Sequence, residues 1–224
     1  MVLFHGSDKV IENPVPGGGN PNNDYGPGFY CTLNRELAME WACKENNPGA
    51  FANHYSLEPS FRLKVFYLNR QGHILNWLAV LLANRKFHIS TPFALQAREY
   101  LLNHFLLDLS PYDIVVGYRA DDSYFSFANL FLHNGLSMDH LNEAMHLGRL
   151  GEQTVIKSER AYEALVFMSA EPVDKSVYLP KRMVRDHKAR EDFQTVKAHV
   201  DYSKGIFMAD ILREKWNNDD PHLR

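Results

Sequence analysis

Asp24-Tyr25-Gly26-Pro27-Gly28-Phe29-Tyr30-Cys31-Thr32 is the stretch on which the reading of this chain turns, because a loop, a strand and the approach to a helix follow one another within it. Gly26 and Gly28 accept backbone torsions that other residues resist, and Pro27 between them stiffens the loop, so the main chain can approach a ligand closely without collapsing onto it. Phe29-Tyr-Cys-Thr32 has strand composition and should alternate its side chains between two faces. Thr32 or Asn34 can cap the helix that follows, with Leu37, Ala38, Trp41 and Ala42 recurring at helical spacing on its inward face. Taken alone, the stretch is an ordinary glycine-rich turn ahead of a strand. Its neighbours make it a candidate binding site.

Upstream, Met1 to Phe4 is a short apolar strand that runs straight into His5-Gly6-Ser7, which places an imidazole, a bare backbone position and a hydroxyl where a strand leaves the core. A histidine at such a place more often satisfies a backbone group than a ligand, and it is the glycine and serine beside it that favour a site. Val10 to Val15 is expected to form a second short strand, and Pro16 to Asn23, rich in Gly, Asn and Pro, a flexible loop. Downstream, Asn46 to Asn53 reads as a loop and His54 to Leu68 as one or two strands of a central sheet. Ile74–Leu82 and Phe93–Leu106 read as core helices without chemistry. Tyr112 to Tyr118 has a buried-strand pattern that ends in Arg119-Ala-Asp-Asp122, whose adjacent carboxylates suit a solvated turn as well as a metal or a substrate hydroxyl; with no further acids or histidines close by, no metal site is expected. Phe125–Leu132 and Met138–Leu147 look helical, and a turn at Gly148–Gly151 leads to a late strand, Glu152-Gln-Thr-Val-Ile-Lys157. Glu159–Phe167 reads as a short helix. From Lys181 to Trp216 mixed charges at helical spacing suit a solvated helix better than a nucleic-acid arm.

Composition bounds the function. The 224 residues, 45% hydrophobic and 23% charged, suffice for one good core and a small appendage. A formal net charge of -3 excludes nucleic-acid binding by bulk charge, although a local basic face remains open. Two cysteines, Cys31 and Cys43, offer neither a disulfide framework nor a zinc cluster. No apolar signal segment and no membrane-length apolar run is seen, so the expectation is a cytosolic, cytoplasmic protein with reduced thiols and no membrane association.

Three features stand in order: His5-Gly6-Ser7 closing a first strand, Gly28-Phe-Tyr-Cys-Thr32 with a helix behind it, and Glu152-Gln153-Thr-Val-Ile opening a late strand. This set resembles the His, Tyr and Glu signature of the ADP-ribosyltransferase superfamily, and more closely a group of bacterial domains within it that share a "His-Gly-Ser", an "Asp-Tyr/Phe-Gly-x-Gly-Phe-Tyr-x-Thr" followed by "Ala-x-x-Trp-Ala", and a strand ending in "Ala-Asp-Asp". The resemblance spans Val2 to Val173. It implies an α+β fold with a split antiparallel sheet and flanking helices over residues 1–173, which leaves 174–224 as a charged, mostly helical C-terminal extension.

The resemblance also implies a cleft that splits NAD, with NAD as co-substrate and ADP-ribose passing to an acceptor that is a protein, a nucleic acid or a small molecule. A neutralising protein partner is a further partner to consider. The residues carried over for cofactor binding are His5, Gly6, Ser7, Gly28, Phe29, Tyr30 and Thr32: His5 would hold the adenosine ribose, Gly6 would offer its backbone to the nicotinamide amide, and Tyr30 would stack on the nicotinamide ring. Cleavage of the glycosidic bond makes an oxocarbenium-like centre, which a carboxylate near the ribose stabilises as charge develops. Where the superfamily has that glutamate, this chain has Gln153, followed as candidates by Glu152 and Glu163. Since neighbours on a strand point to opposite faces, Glu152 and Gln153 cannot both serve one cleft. A neutral Gln153 leads to the expectation of slow turnover and of a gain on Gln153→Glu. The alternatives are an NAD-binding or interaction module that kept the cleft and lost catalysis, and an α+β domain with a purely structural role.

Overall fold

The structure, a computed structural model, describes residues 1–120, 122–145 and 151–223, without the side chains of 122–124. Asp121, the Asp122 side chain and most of the turn expected at 148–151 therefore lie outside the described residues. In chain order the strands are β1 (Val2–Ser7), β2 (Phe29–Cys31), β3 (Phe51–Leu57), β4 (Val65–Tyr67), β5 (Ile114–Tyr118), β6 (Glu152–Ile156) and β7 (Leu165–Pro172). The helices are α1 (Arg35–Ala42), α2 (Leu68–Gln71), α3 (Ile74–Asn84), α4 (Pro92–His104), α5 (Asp122–Leu132), α6 (Met138–Ala144), α7 (Glu159–Glu163), α8 (Lys175–Ala198) and α9 (Met208–Glu214). This is a mixed α+β chain.

Its strands form two sheets, ordered β1-β3-β7 and β2-β6-β5-β4. They touch at one antiparallel bridge between Phe4 and Thr32, closed by Phe4 N to Thr32 O at 2.8 Å and Thr32 N to Phe4 O at 2.9 Å. An all-antiparallel arrangement is not what is found, because β4 and β5 run parallel. The chain between them makes a helical crossover through α2, α3 and α4, the kind of connection that parallel neighbours require.

Alternation along the strands divides the core. Val115 and Val155 face a cluster with Trp77, Leu78 and Phe127, whereas Ile114, Val116 and Ile156 face a second cluster with Leu3, Cys31 and Tyr55. Buried on both faces, β5 needs an unbroken apolar run, which Ile114-Val-Val116 supplies.

Several elements differ from the sequence expectation. Val10 to Val15 forms no strand, because side chains rather than a ladder satisfy its backbone: Asn53 Oδ1 accepts from Ile11 N at 2.9 Å and the Tyr55 hydroxyl donates to Ile11 O at 2.5 Å. Strand β3 starts at Phe51, inside the segment read as a loop, and pairs in register from Ser7↔Phe51 to Val2↔Ser56. The helix expected over Glu159–Phe167 stops at Glu163, and the chain goes on as β7 along β3. Of the two cap candidates for α1, Asn34 accepts from Leu37 N at 3.2 Å, while Thr32 Oγ1 accepts from Asn34 N at 3.1 Å.

Residues 174–223 are mostly helical and pack against both α1 and the larger core cluster. Arg185 on α8 grips Glu40 on α1 through two bonds, at 2.8 and 2.9 Å, and Phe193 meets Phe127 edge-on. Met208, Ile211 and Leu223 lie in the same buried cluster as Trp77. Among the described residues no helix is long and apolar enough to cross a membrane.

Candidate functional site

The site begins where β1 and β2 part. After the Phe4–Thr32 bridge the next backbone pairing would bring Gly6 to Tyr30, yet Tyr30 O is already engaged by His5 Nδ1 at 2.7 Å. A carbonyl only accepts, so Nδ1 carries the proton and Nε2 keeps its lone pair. The imidazole stacks on Phe29 with ring centroids 4.3 Å apart, and burial holds its pKa below the ordinary histidine value, which favours the neutral form. Backbone groups along a strand alternate in direction. Phe4 points its amide and carbonyl at β2, so Gly6, two residues on, points its own into the gap between the sheets. A side chain at Gly6 is excluded on the other flank, where a Cβ would strike Ala38 O and lie 2.6 Å from Ala42 N of α1.

Tyr30 is tied to the turn before it. Its hydroxyl accepts from Tyr25 N at 3.0 Å and donates to Gly26 O at 2.6 Å. Gly26 sits at φ +74, in the left-handed region that a glycine occupies without strain. At Gly28 the need is close approach, since a Cβ there would sit 2.9 Å from Ile156 O. Burial raises the Tyr30 phenol well above the usual range, and its hydroxyl is a structural tie between the turn and β2.

These residues border a cleft of about 400 Å³ lined by His5, Gly28, Phe29, Tyr30 and Tyr162, together with residues of the 9–23 loop that include Lys9. Among the described residues, Lys9 is the one lining residue with a full charge. Asn53 builds the loop side: its amide donates to His5 O, Ser7 Oγ and Lys9 O at 3.1–3.3 Å while its carbonyl holds Ile11 N. The side chain of Ser7 is spent in that local turn, on Lys9 O and Asn53.

Gln153, which the resemblance singled out, lies elsewhere. Gln153 is 4% exposed and its amide nitrogen donates to Asp24 Oδ2 at 2.8 Å and to Tyr118 O at 3.3 Å. Asp24 in turn accepts from Arg85 Nη1 and Ala120 N, both at 2.9 Å. Tyr25 OH and Trp77 Nε1 donate to the same Tyr118 carbonyl at 2.8 and 3.3 Å. Tyr30 pairs with Val155, two residues from Gln153, so the two side chains share a face about 7 Å apart along the strand. Glu152 points to the opposite face and accepts from Asn69 Nδ2 at 2.8 Å. Glu163 is exposed at the end of α7.

Of the residues singled out in the sequence, His5, Gly28, Phe29 and Tyr30 therefore converge on one cleft, whereas Gly6 is not among its lining residues. Thr32 and Ser7 serve local turns, and neither Gln153 nor Glu152 lines the cleft. Sequence reasoning assigned no site role to Asn53, Asp24 or Tyr162. Asn53 carried a legible signal: an asparagine amid the aromatic strand residues Phe51-Ala-Asn-His-Tyr55 is a poor strand former and calls for a polar task.

Residues 1–167 match the model of a family described as a protein of unknown function, DUF3990. No curated protein and no solved structure matches the chain.

Proposed function

The chain belongs to the DUF3990 family, and we propose that it is an NAD-dependent ADP-ribosyltransferase that transfers ADP-ribose to an acceptor, or to water when none is bound. One observation carries the reading: His5 and Tyr30, from strands that the sequence sets 25 residues apart, are joined by the bond from Nδ1 to Tyr30 O at the point where the sheet splits. That bond turns Nε2 into an acceptor suited to a ribose hydroxyl. The ring face of Tyr30 suits a flat cationic nicotinamide, and Tyr162 adds a second aromatic wall. A cleft of about 400 Å³ falls within the range of small-molecule sites. The Gly6 amide, aimed into the gap, offers a donor for the nicotinamide carboxamide. The free thiols of Cys31 and Cys43 are buried, which accords with a reducing, cytoplasmic setting.

A second reading, an NAD-binding module without catalysis, is favoured by the engagement of Gln153 with Asp24 and Tyr118. Nicotinamide release measured beside an NAD titration separates the two. Release supports the transferase, binding without release supports the module, and neither sinks both.

A further inference from the structure

We propose that Asp24 is the positioning residue behind the third signature position: its carboxylate fixes which way the Gln153 amide faces and lends that amide the negative character a glutamate would carry itself. The inference rests on the transferase reading above.

The orientation follows from donor and acceptor types. Gln153 meets Asp24 Oδ2 at 2.8 Å and Tyr118 O at 3.3 Å, and a carboxylate and a peptide carbonyl only accept. The amide nitrogen must face them, which leaves Oε1 on the other side of the group as its acceptor. Among the described residues no partner for Oε1 is seen. Asp24 is itself held on three sides, by Arg85 Nη1, Ala120 N and Gln153, and is 5% exposed. A charged acceptor in such a dry site polarises the amide that donates to it and strengthens the lone pairs on Oε1. Burial lifts the Asp24 carboxyl above its ordinary value while the Ala120 amide, Gln153 and Arg85 pull the other way.

The same contacts explain why a glutamine stands here. A glutamate at 153 would aim a carboxylate at the Asp24 carboxylate and the Tyr118 carbonyl, with no proton among them. Two like charges so placed either share a proton or push apart. The gain expected from sequence for Gln153→Glu is therefore reversed: that variant should be slower unless residue 24 is changed with it.

The test compares wild type, Asp24→Asn, Gln153→Glu and the double swap, by nicotinamide release at saturating NAD and by NAD titration. Asp24→Asn should lower kcat by about tenfold to a thousandfold with NAD affinity within about threefold of wild type, because the residue acts on the chemical step and does not line the cleft. Gln153→Glu should fall likewise. The double swap moves the carboxylate to 153 and the amide to 24, and should regain at least about tenfold over either single change. A purely structural Asp24 would instead lower the melting temperature and NAD affinity together with kcat. The proposal is overturned by an Asp24→Asn variant with unchanged kcat or by a double swap no faster than the singles. Should Asp24→Asn fail to fold, the comparison of Gln153→Glu with the double swap decides alone, with equal rates overturning the proposal. A wild type that neither binds NAD nor releases nicotinamide overturns the transferase reading, and this inference with it.

Discussion

At His5 a single carbonyl sets the chemistry, and the consequence is a pH dependence of known sign. Burial lowers its folded-state pKa below the ordinary 6.5, so as pH falls below 6.5 the unfolded chain takes up the proton first. The contribution of His5 to stability is thus fully present above pH 6.5 and is lost as pH falls towards the folded pKa. His5→Gln should lose less thermal stability than wild type between about pH 7 and pH 5; identical slopes would mean that His5 takes up its proton equally in the folded and unfolded chain. His5→Ala should weaken NAD binding by about 1 kcal/mol, the worth of one neutral hydrogen bond, and a variant that binds normally but turns over slowly would make His5 an acid or base instead. Tyr30 divides in the same way between ring and hydroxyl. Tyr30→Phe removes the partner of Tyr25 N and Gly26 O and should cost about 1–3 kcal/mol in urea unfolding with NAD affinity retained. Tyr30→Ala should lose about 1–3 kcal/mol of affinity as well, and unchanged affinity would remove the ring from the site.

Among the elements, α1 is the hinge of the arrangement, since it backs β1 at Gly6 and is gripped from outside by α8. Glu40 keeps 6% of its side chain exposed and Arg185 25%, so the pair is more than a surface contact and less than a sealed one. Arg185→Ala would leave Glu40 buried and alone, and urea denaturation should show a loss of about 2 kcal/mol, between the values for exposed and buried pairs. The Arg185→Met/Glu40→Gln double change should cost less than that, because no charge is then stranded. If the single and double variants unfold alike, packing along α8 rather than the ion pair joins the helices.

For the molecule as a whole, the residues after 173 complete the core. Phe207, Met208, Ile211 and Leu223 are 5%, 0%, 0% and 3% exposed. Burying each such side chain contributes about 2 kcal/mol, so their combined loss rivals the roughly 5–15 kcal/mol that holds a domain folded. A chain ending at Val173 should therefore be insoluble or unfolded, as read by recovery after expression and by circular dichroism. A soluble, folded truncation that binds NAD as wild type does would show instead that the segment is a separable appendage.

Local chemistry was legible in the sequence wherever neighbours along the chain decide it. The turn at Gly26-Pro-Gly28, the strand Phe29–Cys31, the capped α1, the helical α3 and α4 and the apolar β5 all follow from torsion, period and capping within a few residues. So did the promise of His5 and Tyr30, because a polar ring at a strand end is a local anomaly. Tertiary structure alone decided the rest. Whether Val10–Val15 would pair depended on Asn53 and Tyr55 arriving from β3, and Leu165–Pro172 became a strand because β3 offered it a partner. Gln153 is the clearest case: alternation put Glu152 and Gln153 on opposite faces, but only the fold brought Asp24 across 129 residues to the Gln153 amide. A strand's period tells which face a side chain takes; what waits on that face is set by chain segments that no local pattern records.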